Sequence, residues 1–141
     1  LPPRVNQPKE PINFEDQLEL VGWRLSPPVL RPGLSAKLEM FWRVKKKVRS
    51  QWKVFVHIDA PGQRIHGDHE AVSGVYPMRD WRPGDLIVDE HHLKVSRTIK
   101  PATFTFFTGL YRGKKRMKIK NKSPQLKDKE NRAKIGRISL R

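Results

Sequence analysis

The sequence predicts an all-β fold: a single antiparallel β-sandwich of about eight strands, jelly-roll or immunoglobulin-like. Three observations predict it. Apolar and polar residues alternate with a period of two in several separate stretches, the mark of strands with one buried face. Pro27-Pro28, Pro32-Gly33, Pro61-Gly62 and Pro83-Gly84 punctuate those stretches with turn chemistry. No segment carries an apolar stripe at helical spacing; only the charged "KDKENRAK" could form a turn of helix. At 141 residues and 36 % hydrophobic content, the chain has material for one core and so for one domain.

The elements follow in order. Residues 1–11, "LPPRVNQPKEP", contain four prolines and read as a Pro-rich linker into a domain spanning 12–141. "INFEDQLELVGWRL" reads as a strand. In "LSAKLEMFWRV", Ala36, Leu38, Met40, Trp42 and Val44 share the buried face. The basic "RVKKKVR", Arg43–Arg49, is expected to be a hairpin loop. In "QWKVFVHID", Trp52, Val54, Val56 and Ile58 face the core, and Lys53, Phe55, His57 and Asp59 face away. "YPMRDWRPGD" reads as a long corner stiffened by Pro77 and Pro83 and turned at Gly84. "DLIVDEHHLKV", "TFTFFTGLY" (Phe104, Phe106 and Leu110 on one face) and "AKIGRISL" complete the strands. Between the last two lies a basic loop, about 112–134. It has eleven Lys/Arg against Asp128 and Glu130, a local charge of about +9. Its "RMKIK" could be a short strand, and "NKSPQLKDKENR" is expected to be a mobile loop.

The net charge of +16 concerns partners and not fold. It points to phosphate backbones, anionic lipid headgroups or acidic glycans. Without cysteine, disulfides, thiolate metal sites and cysteine nucleophiles are excluded. No apolar run approaches the roughly 18 residues that span a bilayer. The chain opens Leu1-Pro2-Pro3, with no signal peptide, and is expected to be a mature or excised piece.

Four of the five histidines fall between Arg64 and His92. "HGDH" (His66, Asp68, His69) matches half of the H-x-H-x-D-H motif of metallo-β-lactamase-type hydrolases, but Arg64 stands where the first histidine belongs. In strands, His66 and Asp68 face one way and His69 the other, and His91 and His92 likewise diverge. No metal site, cofactor or catalytic residue is expected. None of Ser26, Ser35, Ser50, Ser73, Ser96 or Ser139 sits in a G-x-S-x-G elbow. There is no phosphate-binding glycine loop. The carboxylate pairs Glu15-Asp16 and Asp89-Glu90 are adjacent and diverge in a strand. Asp68 and Asp89 read as side chains that satisfy turn amides.

Four stretches stand in a telling order: "RPGLSAKLEMFWRV", "WKVFVHIDAPGQ", "GDHEAVSGVYPMRDWRPGDLIVDEHHLKV" and "TFTFFTGLYRGKKRMKIK". Over about 30–120 this order resembles a β-sandwich module at the extracytoplasmic end of bacterial membrane glycosyltransferase-like proteins and related envelope proteins. The lysine load after Arg112 departs from that pattern. The resemblance implies a non-catalytic accessory module, periplasmic or otherwise extracytoplasmic and membrane-tethered in the full-length protein. Its implied partners are glycan or the membrane-embedded part of the same parent chain.

The candidate ligand-binding residues are Tyr76, Trp81, Arg82, His57 and Asp68. Trp81 either plugs the sandwich end or stands exposed for stacking; the adjacent Pro-Gly turn favours the plug. The candidate anionic-surface patch comprises Lys45, Lys46 and Lys47 with Lys114, Lys115, Arg116, Lys118, Lys120 and Lys122. The leading expectation is a monomeric module binding an anionic glycan or membrane surface. The alternative is a nucleic-acid-binding β-domain, supported by charge and stacking aromatics. A metal-dependent hydrolase ranks third.

Overall fold

The computed structural model describes all residues from Leu1 to Arg141. It is an all-β fold of two antiparallel sheets facing each other across one core. Eight strands have three or more residues: β1 (Ile12–Phe14), β2 (Leu18–Ser26), β3 (Ser35–Val44), β4 (Lys53–Ala60), β5 (Gln63–His66), β7 (Leu86–Lys94), β8 (Ala102–Arg112) and β10 (Ala133–Leu140). Two more, β6 (His69–Glu70) and β9 (Lys115–Arg116), have two residues each. One sheet runs β1-β2-β3-β7; the other runs β10-β8-β4-β5, with β6 on β4 and β9 on β8. The only right-handed helical piece is a short 3-10 turn at Met78–Asp80; Ala71–Gly74 is a tight turn with left-handed backbone at Val72 and Ser73.

The alternating residues of β3, β4 and β8 fill the space between the sheets. Leu38, Met40, Val54, Val56, Ile58, Phe104 and Phe106 have no exposed surface, and Trp42 almost none. Trp23 on one sheet meets Phe106 on the other edge-on, with ring centroids 5.1 Å apart. Its indole N–H reaches the Ile135 carbonyl across the gap at 3.3 Å.

Two strands break the simple alternation, each at a β-bulge. In β2 the register shifts between Leu20 and Gly22, so Leu18 and Leu20 face inward before the bulge and Trp23 and Leu25 after it. In β10 it shifts between Lys134 and Gly136, where Ala133 and Ile135 hand over to Ile138 and Leu140. One extra residue flips the inward parity, which a strict period of two does not foresee.

Several expectations are corrected. "INFEDQLELVGWRL" is a hairpin and not one strand. Glu15 and Asp16 take left-handed backbone (φ 50° and 57°), and the Asn13 side chain bonds both the amide and the carboxylate of Asp16. "RVKKKVR" is not a hairpin loop: β3 and β4 lie in different sheets, so the segment after Val44 crosses between them. Fully buried Val48 anchors that crossover. The basic segment after Arg112 packs onto the domain at several points. Buried Met117 and Ile119 carry it from β8 to the edge of β1, where Ile119 bridges Phe14 and the Asn121 carboxamide accepts the Asn13 amide at 2.7 Å. Asn131 closes it by bonding the Ile119 amide and the Met117 carbonyl. Residues 1–11 are seated on the domain: Asn6 exchanges two backbone hydrogen bonds with Trp23 (2.8 and 2.9 Å), along the stretch of β2 that β1 leaves unpaired.

Gly109 shows how close packing constrains sequence. A Cβ there would stand 2.4 Å from the Phe55 ring, so the ring needs glycine beneath it. Phe106→Ala should destabilise the domain by about 3–5 kcal/mol, read as a lower urea midpoint, because it empties the centre of the core and orphans the Trp23 edge contact. A loss under 1 kcal/mol would contradict this packing.

Candidate functional site

Strand register decides which loops share an end of the sandwich. Leu18 pairs with Val44 and Arg43 with Leu86; Lys53 pairs with both Tyr111 and Glu70. The β1–β2 turn, the β3–β4 crossover, the 71–85 corner and the β8–β9 hairpin therefore gather at one end. Side chains tie them together. Lys47 Nζ bonds the Arg79 carbonyl, and the Arg112 guanidinium donates to Ser50 Oγ at 2.8 Å while lying 5.5 Å over the Trp52 ring.

This end is basic. Exposed Lys45, Lys46, Lys47 and Arg49 rim an open cleft of about 400 Å³ or stand beside it, with Trp52, Ser50 and Glu15 in its wall. Lys118 and Lys120 run past the same turn: the Lys118 carbonyl accepts the Glu15 amide, and Lys120 bonds Asn13. The Asn13 hydrogen bond, then Lys45, Lys120 and Lys46, hold the Asp16 carboxyl below its ordinary range. Lysines from two distant stretches thus act on one carboxylate. Lys122 is exposed beyond β1, and Lys115 lies exposed on β9.

Lys114 and Arg116 belong to a second feature, on the outer face of the six-stranded sheet. They line a cleft of about 350 Å³ with Phe55, His57, Asp68 and Tyr111. The Phe55 ring lies on Gly109, and the Arg116 guanidinium covers it at 4.5 Å. Asp68 anchors the wall by accepting the Val56 amide at 2.9 Å.

Behind His57 runs a charged network. Arg132, largely buried, stacks on Phe107 at 4.0 Å and bonds Asp128 (2.7 Å), Asp59 (3.2 Å) and His57 Nδ1 (3.3 Å). Arg64 takes the other side of Asp59 at 2.7 and 2.9 Å. A guanidinium only donates, so His57 Nδ1 must accept. Burial, then Arg64 and Arg132, push the His57 pKa below its ordinary value. The imidazole is neutral, with its proton on Nε2.

Tyr76, Trp81 and Arg82 do not join His57 and Asp68; they lie in the corner at the basic end. Trp81 has no exposed surface, and its indole N–H donates to the Tyr76 carbonyl at 2.9 Å. It closes the sandwich end and offers no ring to a ligand. Arg82 is exposed and Tyr76 partly so, its hydroxyl 3.2 Å from the Asp80 carbonyl.

The histidines split between the two faces. His57 and His66 meet edge-on outside, with centroids 6.3 Å apart. His69 and His91 stack at 4.2 Å on the other side of the strands, against Asp89. No three His, Asp or Glu side chains converge on a point that could hold a metal ion. Asp89 is completely buried. It accepts the Val72 amide at 2.8 Å and meets His69 Nε2 at 2.6 Å, while His69 Nδ1 reaches the Gly67 carbonyl at 2.7 Å. Both ring nitrogens face acceptors, so His69 is imidazolium. Burial opposes that charge, but the Asp89 bond and charge outweigh it and raise the His69 pKa. His91, stacked beside it, is lowered by burial and by the His69 charge.

Sequence reasoning missed Phe55, Tyr111 and Arg132 as builders of the outer cleft. The available signal was an aromatic on the polar face of an alternating strand: Phe55 among Lys53, His57 and Asp59. Comparison with known proteins finds no matching family and no curated protein of similar sequence.

His69 should titrate above the ordinary histidine value of about 6.5, and His57 and His91 below it, in an NMR pH titration of the ring signals. The stability contributed by His69 is full below about pH 6.5 and lost as pH rises through its raised folded value. His57 and His91 act oppositely: their contribution is lost as pH falls below about 6.5 through their depressed values. Asp89→Asn should lower the His69 value, since burial is then opposed only by the Gly67 bond and the Asp68 charge. An unmoved His69 titration would show that the pair is not charged.

Proposed function

We propose that the chain is a non-catalytic, extracytoplasmic accessory module of an envelope protein, which holds an anionic partner against the basic end of its sandwich. One observation carries the reading: the crossover lysines 45–47 and the lysines after Arg112, far apart in sequence, flank the same turn. Positive charge collected on one end attracts an extended anion more than the same charge scattered over the surface. The resemblance to modules on membrane glycosyltransferase-like proteins supports the extracytoplasmic setting and a glycan or membrane partner. The partner's chemistry is that of carboxylates and phosphates, carried by an acidic glycan or by anionic headgroups. The Asp89–His69 pair, although of a type used in catalysis, is buried and committed to holding the Val72 turn.

A nucleic-acid-binding role is the second reading, favoured by Trp52 under Arg112 at the basic end.

Co-sedimentation with anionic vesicles and acidic polysaccharide should show binding that falls steeply with salt, because exposed charges are screened over about 8 Å at physiological ionic strength. Each lysine near an anionic membrane contributes on the order of 1 kcal/mol, so replacing Lys45, Lys46 and Lys47 together by Ala should weaken binding about a hundredfold. The fold should survive, since all three are exposed. Binding to none of these surfaces, or binding indifferent to salt and to the triple change, would refute the proposal. Preference for a DNA duplex would install the second reading.

A further inference from the structure

We infer that the cleft lined by Phe55, His57, Asp68, Tyr111, Lys114 and Arg116 is a saccharide subsite that takes a sugar ring bearing a carboxylate. The inference rests on the glycan arm of the proposed function and adds a second site, on the outer sheet face where it adjoins the basic end.

Sugar recognition needs an aromatic wall for the C–H face of the ring, fixed donors and acceptors for its hydroxyls, and exclusion of some water. The cleft has each. The half-exposed Tyr111 ring is the aromatic wall; buried Phe55, 6.3 Å away at 52° and covered by Arg116, backs it and fixes its position. The Tyr111 hydroxyl makes no hydrogen bond within the chain and can donate or accept. Asp68 spends Oδ1 on the Val56 amide, which leaves Oδ2 as an acceptor for a hydroxyl pair. His57 spends Nδ1 on Arg132, which leaves Nε2–H as a donor. The Arg132 bond favours that tautomer in the unbound protein, so the donor is in place before binding.

The rim supplies the charge preference. Lys114 is at the tip of the β8–β9 hairpin with no acidic partner. Arg116 commits one nitrogen to the Glu130 carbonyl at 2.7 Å and presents the rest of its fork, which suits a planar carboxylate. Asp68 is the one acid in the lining, so the cleft is cationic overall. A neutral sugar would leave both rim cations unanswered. A bare phosphate would use them but neither Tyr111 nor the His57–Asp68 pair.

The test is calorimetric titration of the intact 141-residue chain at low salt with trigalacturonate, maltotriose and inorganic phosphate, followed by NMR of the His57 ring. Trigalacturonate should bind saturably and shift His57. Maltotriose should bind at least tenfold more weakly, and phosphate should leave His57 unmoved. Tyr111→Ala should cost trigalacturonate at least tenfold in affinity, with far-UV circular dichroism as the folding check. Should that variant fail to fold, Lys114→Glu, at an exposed hairpin tip, should give the same loss. The Lys45, Lys46, Lys47 triple variant should retain trigalacturonate affinity while losing surface binding. No saturable trigalacturonate binding, or binding unaffected by Tyr111→Ala and Lys114→Glu, would overturn the subsite and leave the basic end standing. Loss of trigalacturonate binding in the triple variant would assign it to the basic end and also overturn the subsite.

Discussion

The Asp89 carboxylate, with no exposed surface, is the constraint on which much of the molecule hangs. A buried charge without partners costs several kcal/mol, so its surroundings must answer it. They answer with the His69 imidazolium and the Val72 amide. The second bond explains an unusual backbone. Val72 is β-branched yet left-handed at φ 55°, as is Ser73 at φ 52°. With its amide held by Asp89, the chain can turn at once out of β6 into the corner. That corner then sends Met78 and Trp81 into the end of the core, both without exposed surface.

The corner in turn carries the basic end. The Gly84 amide donates to the Val44 carbonyl, and the Val44 amide to the Asp85 carbonyl. Trp52 donates its amide to the Met78 sulfur, and Met78 its own to Gln51. The crossover with its three lysines is therefore fastened at both ends by the element that Asp89 positions. A loop fastened in this way can hold like charges near one another at smaller entropic cost on binding than a free one.

Charge is handled differently on the outer sheet face. There Arg132 is buried, which is tolerated because Asp128 and Asp59 are its carboxylate partners, and exposed Arg64 closes on Asp59 from the surface. That network sets the protonation of His57 and leaves the nearby cleft with unspent hydrogen-bonding groups. The basic end and the outer sheet face thus use the same residue types differently: exposed lysines gathered from distant stretches in one, guanidinium groups held against carboxylates in the other.

Much of the fold was legible in the sequence. The alternation in Ala36–Val44 and in Phe104–Phe106 pointed to the fold class, because it lines one face of a pleated strand with apolar side chains; the burial of Phe41 on the opposite face of β3 was not legible from it. Pro-Gly pairs marked corners, and Trp81 beside one of them was readable as a plug. The alternation of His66, Asp68 and His69 already separated them in space. What alternation cannot report is where a strand changes phase or sheet. The bulges at Val21 and Ile135, the crossover at 45–52 and the hairpin at Glu15–Asp16 each depend on what lies across the gap. The site was legible residue by residue but not as an arrangement. His57, Asp68, Lys114 and Arg116 were identifiable as polar or basic; only the pairing of β4 with β8, and the folding back of β9, brings them round Phe55. Trp81 and Tyr76, adjacent to them in the same reading, fall at a different place, because sequence proximity along a corner sets no distance across a sheet. Local pattern is short-range chemistry and is written in the chain; a site is a long-range coincidence, decided only when strand register is set by the packing of the whole core.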